Sequence, residues 1–259
     1  MTSTEELPAF FAVDGTTLVA RPHARGPWAV DMLHGKLLAG LLARAIEHEH
    51  GDPGMQFSRT TIDLFRAAPI GRFDVTTTLV RNGARVRAVE AVVHCEGAAV
   101  AKASAVLLRR GEDPGQDVWS PAEWDAPAPT ELPPDDTGHP WDFRLFRGRG
   151  FAEAARRAGW VRETVPLVEG EELSAYQRVV IAADVTSPMS NAGSGGIRYI
   201  NADFTVYLRR VPVGPWIGVD VTGHLHEDAV AVGQATLYDE DGAIGYCATC
   251  AVADTRTVN

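Results

Sequence analysis

The chain has 259 residues, 45% hydrophobic and 22% charged, an ordinary globular composition long enough for one large domain or two modest ones. Its formal net charge of −10 speaks against nonspecific nucleic-acid binding, which needs a basic face, although 24 Lys and Arg residues leave room for a local basic pocket. The three cysteines, Cys95, Cys247 and Cys250, are odd in number and lack metal-ligand spacing with His, which argues against a disulfide framework and a zinc site.

Residues 1–8 form a polar lead without the basic segment of a signal peptide. A strand is predicted over 10–19 with a turn at Asp14-Gly15, continued by 17–20 and followed by the turn Arg25-Gly26-Pro27-Trp28. His34-Gly35-Lys36 then opens an apolar run over 37–46, rich in Leu and Ala and apolar at nearly every position up to Ala43. This predicts a buried central helix to about residue 49, stopped by Gly51-Asp52-Pro53-Gly54. It is too short to span a bilayer, which takes ~20 apolar residues, and no other segment qualifies. A reducing cytoplasm is the expected location. His34 and Gly35 stand at the helix N-terminus, where free N–H groups and the positive end of the dipole can bind an anion or polarise a carbonyl oxygen.

Strands follow over 57–65, 72–81, 85–96 and 100–110, with hairpin signals at Asn82-Gly83 and Gly97. From residue 111 the chain turns Pro- and acid-rich, as a linker with polyproline character does. The pattern then returns: a strand over 159–167, a helix over 173–185, a Gly/Ser loop over 191–196, and strands over 197–210, 216–226, 230–238 and 243–252. Cys247 and Cys250 form a C-x-x-C on the last strand, not at a helix start, so a redox reading is weak. Leu64-Phe65-Arg66-Ala67-Ala68-Pro69-Ile70-Gly71 matches Tyr207-Leu208-Arg209-Arg210-Val211-Pro212-Val213-Gly214 position for position, and the same offset pairs Phe73 with Trp216. The chain is therefore read as two copies of one domain, 1–112 and 141–259, joined by a linker over 113–140.

A helix wrapped by a curved antiparallel sheet, present twice, resembles the tandem double hot-dog acyl-CoA thioesterases of the thioesterase II type, an α+β fold. Gly26-Pro27-Trp28 with His34-Gly35 and the following Leu/Ala helix resembles the family's turn, His-Gly-Gly and helix. Ile62-Asp63-Leu64-Phe65-Arg66 with Pro69 resembles the strand after it. The stretches 166–172, Ala182-Ala183-Asp184 and 200–206 resemble the second copy.

The resemblance implies hydrolysis of a fatty or related acyl-CoA thioester, without metal or cofactor, by a water that a carboxylate activates. It places that carboxylate at Asp184, a helper at Asn201, and Thr249 or Cys250 where the family has Gln, Thr249 being preferred from the Gly-x-x-Ala spacing. His34, Gly35, Lys36 and Thr205 are the candidate substrate-binding residues, with oxyanion donors at Gly35 and Lys36 and the acyl chain in an apolar tunnel between the two helices. Each residue has a plainer reading. Asp184 is a solvated acid at a helix end, Asn201 a solvent-facing strand residue, His34 a cap, and Lys36, where relatives often have Gly, a lysine pointing to water. The shorter Thr249 motivates an alternative, a non-hydrolytic acyl- or small-molecule-binding protein. Dimerisation or higher homo-oligomerisation is what the family implies; no nucleic acid or membrane partner is expected. Cys–His catalysis lacks a readable His partner. A hot-dog dehydratase lacks its Asp–His order, since Asp31 precedes His34.

Overall fold

The computed structural model describes residues 7–27, 31–120, 124–135 and 139–254. Trp28 of the predicted turn lies outside them. The first copy comprises β1 (Phe11–Asp14), β2 (Thr17–Ala20), α1 (Gly35–His50), β3 (Met55–Leu64), β4 (Arg72–Asn82), β5 (Val86–Cys95) and β6 (Ala98–Arg109). The second comprises β7 (Trp141–Arg147), β8 (Ala158–Glu163), α2 (Ala175–Ala183), α3 (Thr186–Asn191), β9 (Tyr199–Asn201), β10 (Asp203–Leu208), β11 (Ile217–Glu227), β12 (Val230–Asp239) and β13 (Gly242–Ala253).

All strands join one antiparallel sheet in the order β1-β2-β4-β5-β6-β3-β10-β13-β12-β11-β8-β7, with β9 on β13. The second half of this order is the first half reversed, as an internal two-fold axis requires. The axis falls at the seam between β3 and β10, where Thr61 pairs with Thr205 and Ile62 with Phe204. Alternation along β10 buries Phe204 and Val206 against the helices and turns Thr205 to the outer face. Bulges, such as those at Phe57/Arg59 and Val221/Gly223, add the bend that wraps the sheet around its helices.

The helices share one face of the sheet and touch each other. Leu37, Leu41, Leu42 and Ile46 of α1 and Val179, Val180 and Ile181 of α2 are buried in a single core. Burying each such side chain is worth ~1.5–3 kcal/mol. The expected acyl tunnel between the helices is filled where they cross. A Cβ at Gly40 would stand 3.0 Å from both Ile181 and Leu167, so α1 depends on that glycine to approach.

Three details differ from the sequence expectation. β7 falls at the start of the second copy, where the sequence reading assigns no element before residue 159, although Trp141, Phe143 and Leu145 alternate with polar residues. The second helix breaks into α2 and α3 at Asp184 and Val185. Pro188 explains the break: its ring crowds the carbonyl four residues back, that of Asp184, which accepts instead from the Ser187 N–H at 3.2 Å. The strand expected over 197–210 is two strands, because Ala202 bends out. Its N–H goes to Cys250 and its carbonyl accepts from Leu64.

The linker is not a free tether over its described second part. Trp124 stacks on Tyr238 with ring centroids 3.9 Å apart and meets Trp160, and Trp160 donates its indole N–H to Pro127 O at 3.0 Å. Arg144 holds Pro129 O at 2.7 Å.

Candidate active site

His34 is the N-cap of α1. Its backbone is extended, and Nδ1 accepts the Lys36 N–H at 3.3 Å, satisfying one of the donors that a helix start leaves over. The Leu37 N–H goes to the His34 carbonyl. Gly35 is thus the first-turn residue whose N–H neither of these bonds engages. Trp141 packs edge-on against the imidazole at 5.3 Å and in turn stacks on His139.

Asp184 arrives from the other copy, because α1 and α2 run antiparallel and the Pro188 break leaves the carboxylate at the end of α2 facing the start of α1. Asn201 of β9 donates Nδ2–H to Asp184 Oδ1 at 2.9 Å. The second oxygen, Oδ2, faces His34 Nδ1 at 4.0 Å. This is not an ion pair. Burial, followed by the charge on Lys36 and then His139, lowers the His34 pKa to about 3, so the ring is neutral near pH 7. Burial raises the Asp184 pKa to about 6, against the opposing hydrogen bond of Asn201 and the charge of Lys36. The side chain retains 13% exposure, enough to be reached.

Lys36 does not point to water, as its plainer reading held. Its Nζ donates to Glu163 Oε2 at 2.8 Å and Oε1 at 3.0 Å and sits 3.8 Å from the centre of the Trp141 ring. The two side chains are 8% and 3% exposed. Burial pulls the ammonium below its ordinary value, and Glu163 opposes that pull.

The structure therefore brings His34, Gly35, Lys36, Asp184 and Asn201 together and adds Glu163 and Trp141, which the sequence did not reveal. The sole signal for Glu163 was an acid at the end of the apolar strand β8. Neither Thr249 nor Thr205 is hydrogen-bonded to Asp184. Thr249 donates its hydroxyl to the Asp203 carbonyl at 2.7 Å, and Thr205 Oγ1 is 3.0 Å from Thr61 Oγ1 at the seam. Both line a surface cavity of about 510 Å³ with Leu225 and Val232. A second cavity, of about 620 Å³, lies beside the Gly193–Gly196 loop, with Tyr199, His224 and His226. Neither cavity is lined by Asp184, and the electrostatics and the close packing of charged groups make the α1 start the better site.

Cysteine chemistry is disfavoured. Cys247 is buried, which pushes its thiol up to about 12, and it sits three residues from Cys250 on a strand, so the two side chains face opposite sides of the sheet. Among the described residues there is no His/Cys/Asp/Glu cluster able to hold a metal ion, and no helix is long and apolar enough to cross a membrane.

Solved structures share the fold. A hot-dog-fold protein of unknown function from Alicyclobacillus acidocaldarius superposes with a TM-score of 0.70 at 18% identity, over 95% of this chain and 96% of that one. The tesB protein of Mycobacterium avium subs. paratuberculosis gives 0.69 at 15% identity, over 93% and 94%. The acyl-CoA thioesterase II TesB2 of Mycobacterium marinum gives 0.64 at 13% identity, over 92% and 99%. A search of curated proteins found no match. Two family profiles divide the chain between them: residues 24–108 match the acyl-CoA thioesterase N-terminal domain and residues 114–251 its C-terminal domain. With both profiles matched in order and the duplicated fold behind them, the chain belongs to the acyl-CoA thioesterase family.

Proposed function

We propose that this protein hydrolyses an acyl-CoA thioester at the start of α1, with Asp184 as the general base. The observation that carries this reading is the state of the Asp184 carboxylate. Asn201 engages Oδ1, which leaves Oδ2 as the basic oxygen, and a pKa of about 6 keeps it ionised yet basic near neutral pH. Water loses a proton to Oδ2 as its oxygen attacks the thioester carbonyl carbon. The oxyanion that forms lies against the N-terminus of α1, where the Gly35 N–H and the helix dipole stabilise it. Collapse breaks the C–S bond, and the thiolate takes up the proton, giving a carboxylic acid and free CoA thiol. Neutral His34 fixes the helix start through its cap bond and adds no second positive charge. Thr249 ties β13 to the first residue of β10 through the Asp203 carbonyl.

Thiol release from acyl-CoAs of graded chain length tests the reading. Turnover on at least one length, lost in Asp184→Asn, is the expected result. No turnover on any length, or an unimpaired Asp184→Asn protein, would sink it. The second reading, a binder without turnover, draws on the Thr249 hydroxyl being committed to a backbone carbonyl. Ligand retention in native mass spectrometry without thiol release would favour it.

A further inference from the structure

We propose that the buried Lys36–Glu163 pair, covered by Trp141, is a positioning element of the active site: Lys36 keeps Asp184 ionised, and Glu163 and Trp141 hold the lysine off the substrate. The proposal rests on Asp184 as the base.

The geometry excludes the simpler role of a substrate anchor. An ammonium has three N–H donors and needs all of them engaged when buried. Both oxygens of Glu163 take Nζ at 2.8 and 3.0 Å, and the Trp141 face covers it at 3.8 Å. The charge is spent inside the protein, so an acyl-CoA phosphate has nothing to grip there. A lysine in this place is also unfavourable for its own helix, since a cation at an N-terminus opposes the dipole. It is nonetheless buried on Glu163, 127 residues away.

The consequence falls on Asp184. The titratable groups that face it are His34 and Lys36 from α1, Glu163 from β8 and Cys247 from β13, with Asp203 of β10 acting on Cys247. His34 and Cys247 are neutral near pH 7 for the reasons given above. Lys36 is then the one cation of the set and Glu163 the other anion. The lysine favours the ionised carboxylate and the glutamate disfavours it, the lysine more strongly. After the Asn201 hydrogen bond, Lys36 holds down a buried carboxylate that burial alone would carry higher, and Glu163 limits that effect.

The test is a carbon-13 carboxyl NMR titration of the full chain labelled at aspartate, with Asp184 assigned by the missing signal of Asp184→Asn. Lys36→Met is expected to move the Asp184 midpoint up by about one pH unit, and Glu163→Gln to move it down. Lys36→Arg, which keeps the charge, is expected to stay near the wild-type midpoint. The acidic limb of kcat/KM should follow the NMR midpoint in each variant, which a merely structural pair would not produce. Lys36→Met leaves Glu163 without its partner and can fail to fold. The double variant Lys36→Met/Glu163→Gln strands no charge, and its midpoint should still lie above wild type. An unmoved midpoint in whichever of the two folds overturns the proposal. The titration needs no turnover, so it also separates two failures. A wild-type protein without thioesterase activity refutes the base, whereas an active wild type with an unmoved midpoint refutes the pair alone.

Discussion

The two halves of the molecule present two helix starts related by the internal axis, and their chemistry has parted. Ten residues after the cap His34 stands Arg44; ten residues after the cap Ser174 stands Asp184. At the start of α2, Ser174 Oγ accepts the Gln177 N–H at 3.0 Å and donates to Glu47 Oε2 at 2.6 Å, and Gln177 Nε2 reaches the same oxygen at 2.9 Å. Arg44 is occupied by Glu171 through two hydrogen bonds, and Tyr176, at the position equivalent to Lys36, closes on Thr60 at 2.8 Å. Cap and cation are satisfied there, and one oxygen of Glu47 takes two donors. At the start of α1 the same backbone carries a neutral cap, a cation turned inward and a carboxylate with one oxygen uncommitted. The two starts differ in what surrounds the carboxylate, Asn201, neutral His34 and buried Lys36 in one half and Ser174 and Gln177 in the other, not in fold.

The sharpest way to break this comparison is to neutralise the acid that faces each helix start. Asp184→Asn should lower kcat/KM for acyl-CoA by ~10²–10⁴-fold, and Glu47→Gln by less than about two-fold, both read by thiol release. Equal losses would mean that both helix starts are catalytic. Next in size is Asn201→Ala. A hydrogen bond to a charged group is worth ~1.5–3 kcal/mol, so a loss of ~10–100-fold is expected, with the acidic limb of the pH profile moved upward because the ionised form has lost its donor.

The pH dependence of the wild type follows from Asp184 itself. The base must be ionised, so kcat/KM should climb as pH rises through about 6 and level off above it. Stability has the opposite sign. The folded pKa of about 6 lies above the ordinary aspartate value of 3.8, so the native state holds its proton longer and loses stability as pH rises through that window. Asp184→Asn should therefore melt above wild type at pH 7, by at most about 3 kcal/mol, with the difference gone near pH 4. The smallest effect is expected at the quiet start. Ser174→Ala removes a cap and should cost about 1 kcal/mol in denaturant unfolding with kcat/KM unchanged.

How much of this was legible in the sequence divides by range. The duplication, the hairpin at Asn82-Gly83 and α1 are written in neighbouring residues, and they placed the fold. Asp184 and Asn201 could be named as site residues because they match a family pattern. Pro188 was a local signal for the break after α2, and the alternation in 141–147 a local signal for β7; both went unread beside stronger features. The partner of Lys36 could not be read at all. Glu163 is brought to it from the end of β8 by the packing of one copy on the other, and no periodicity in either segment specifies that meeting. Thr249 shows the limit of position matching, since register put its hydroxyl on Asp203 rather than on the carboxylate.

The seam between β3 and β10 has one more consequence. In a dimer of identical subunits, every substitution is written twice, so a helix start cannot gain a buried lysine without its symmetry mate gaining one too. Here the mates are covalently one chain, and Thr61 and Thr205 meet across the axis as separately encoded residues. Lys36 entered once, Tyr176 stands where its twin would have been, and each half became free to specialise while the other kept the architecture.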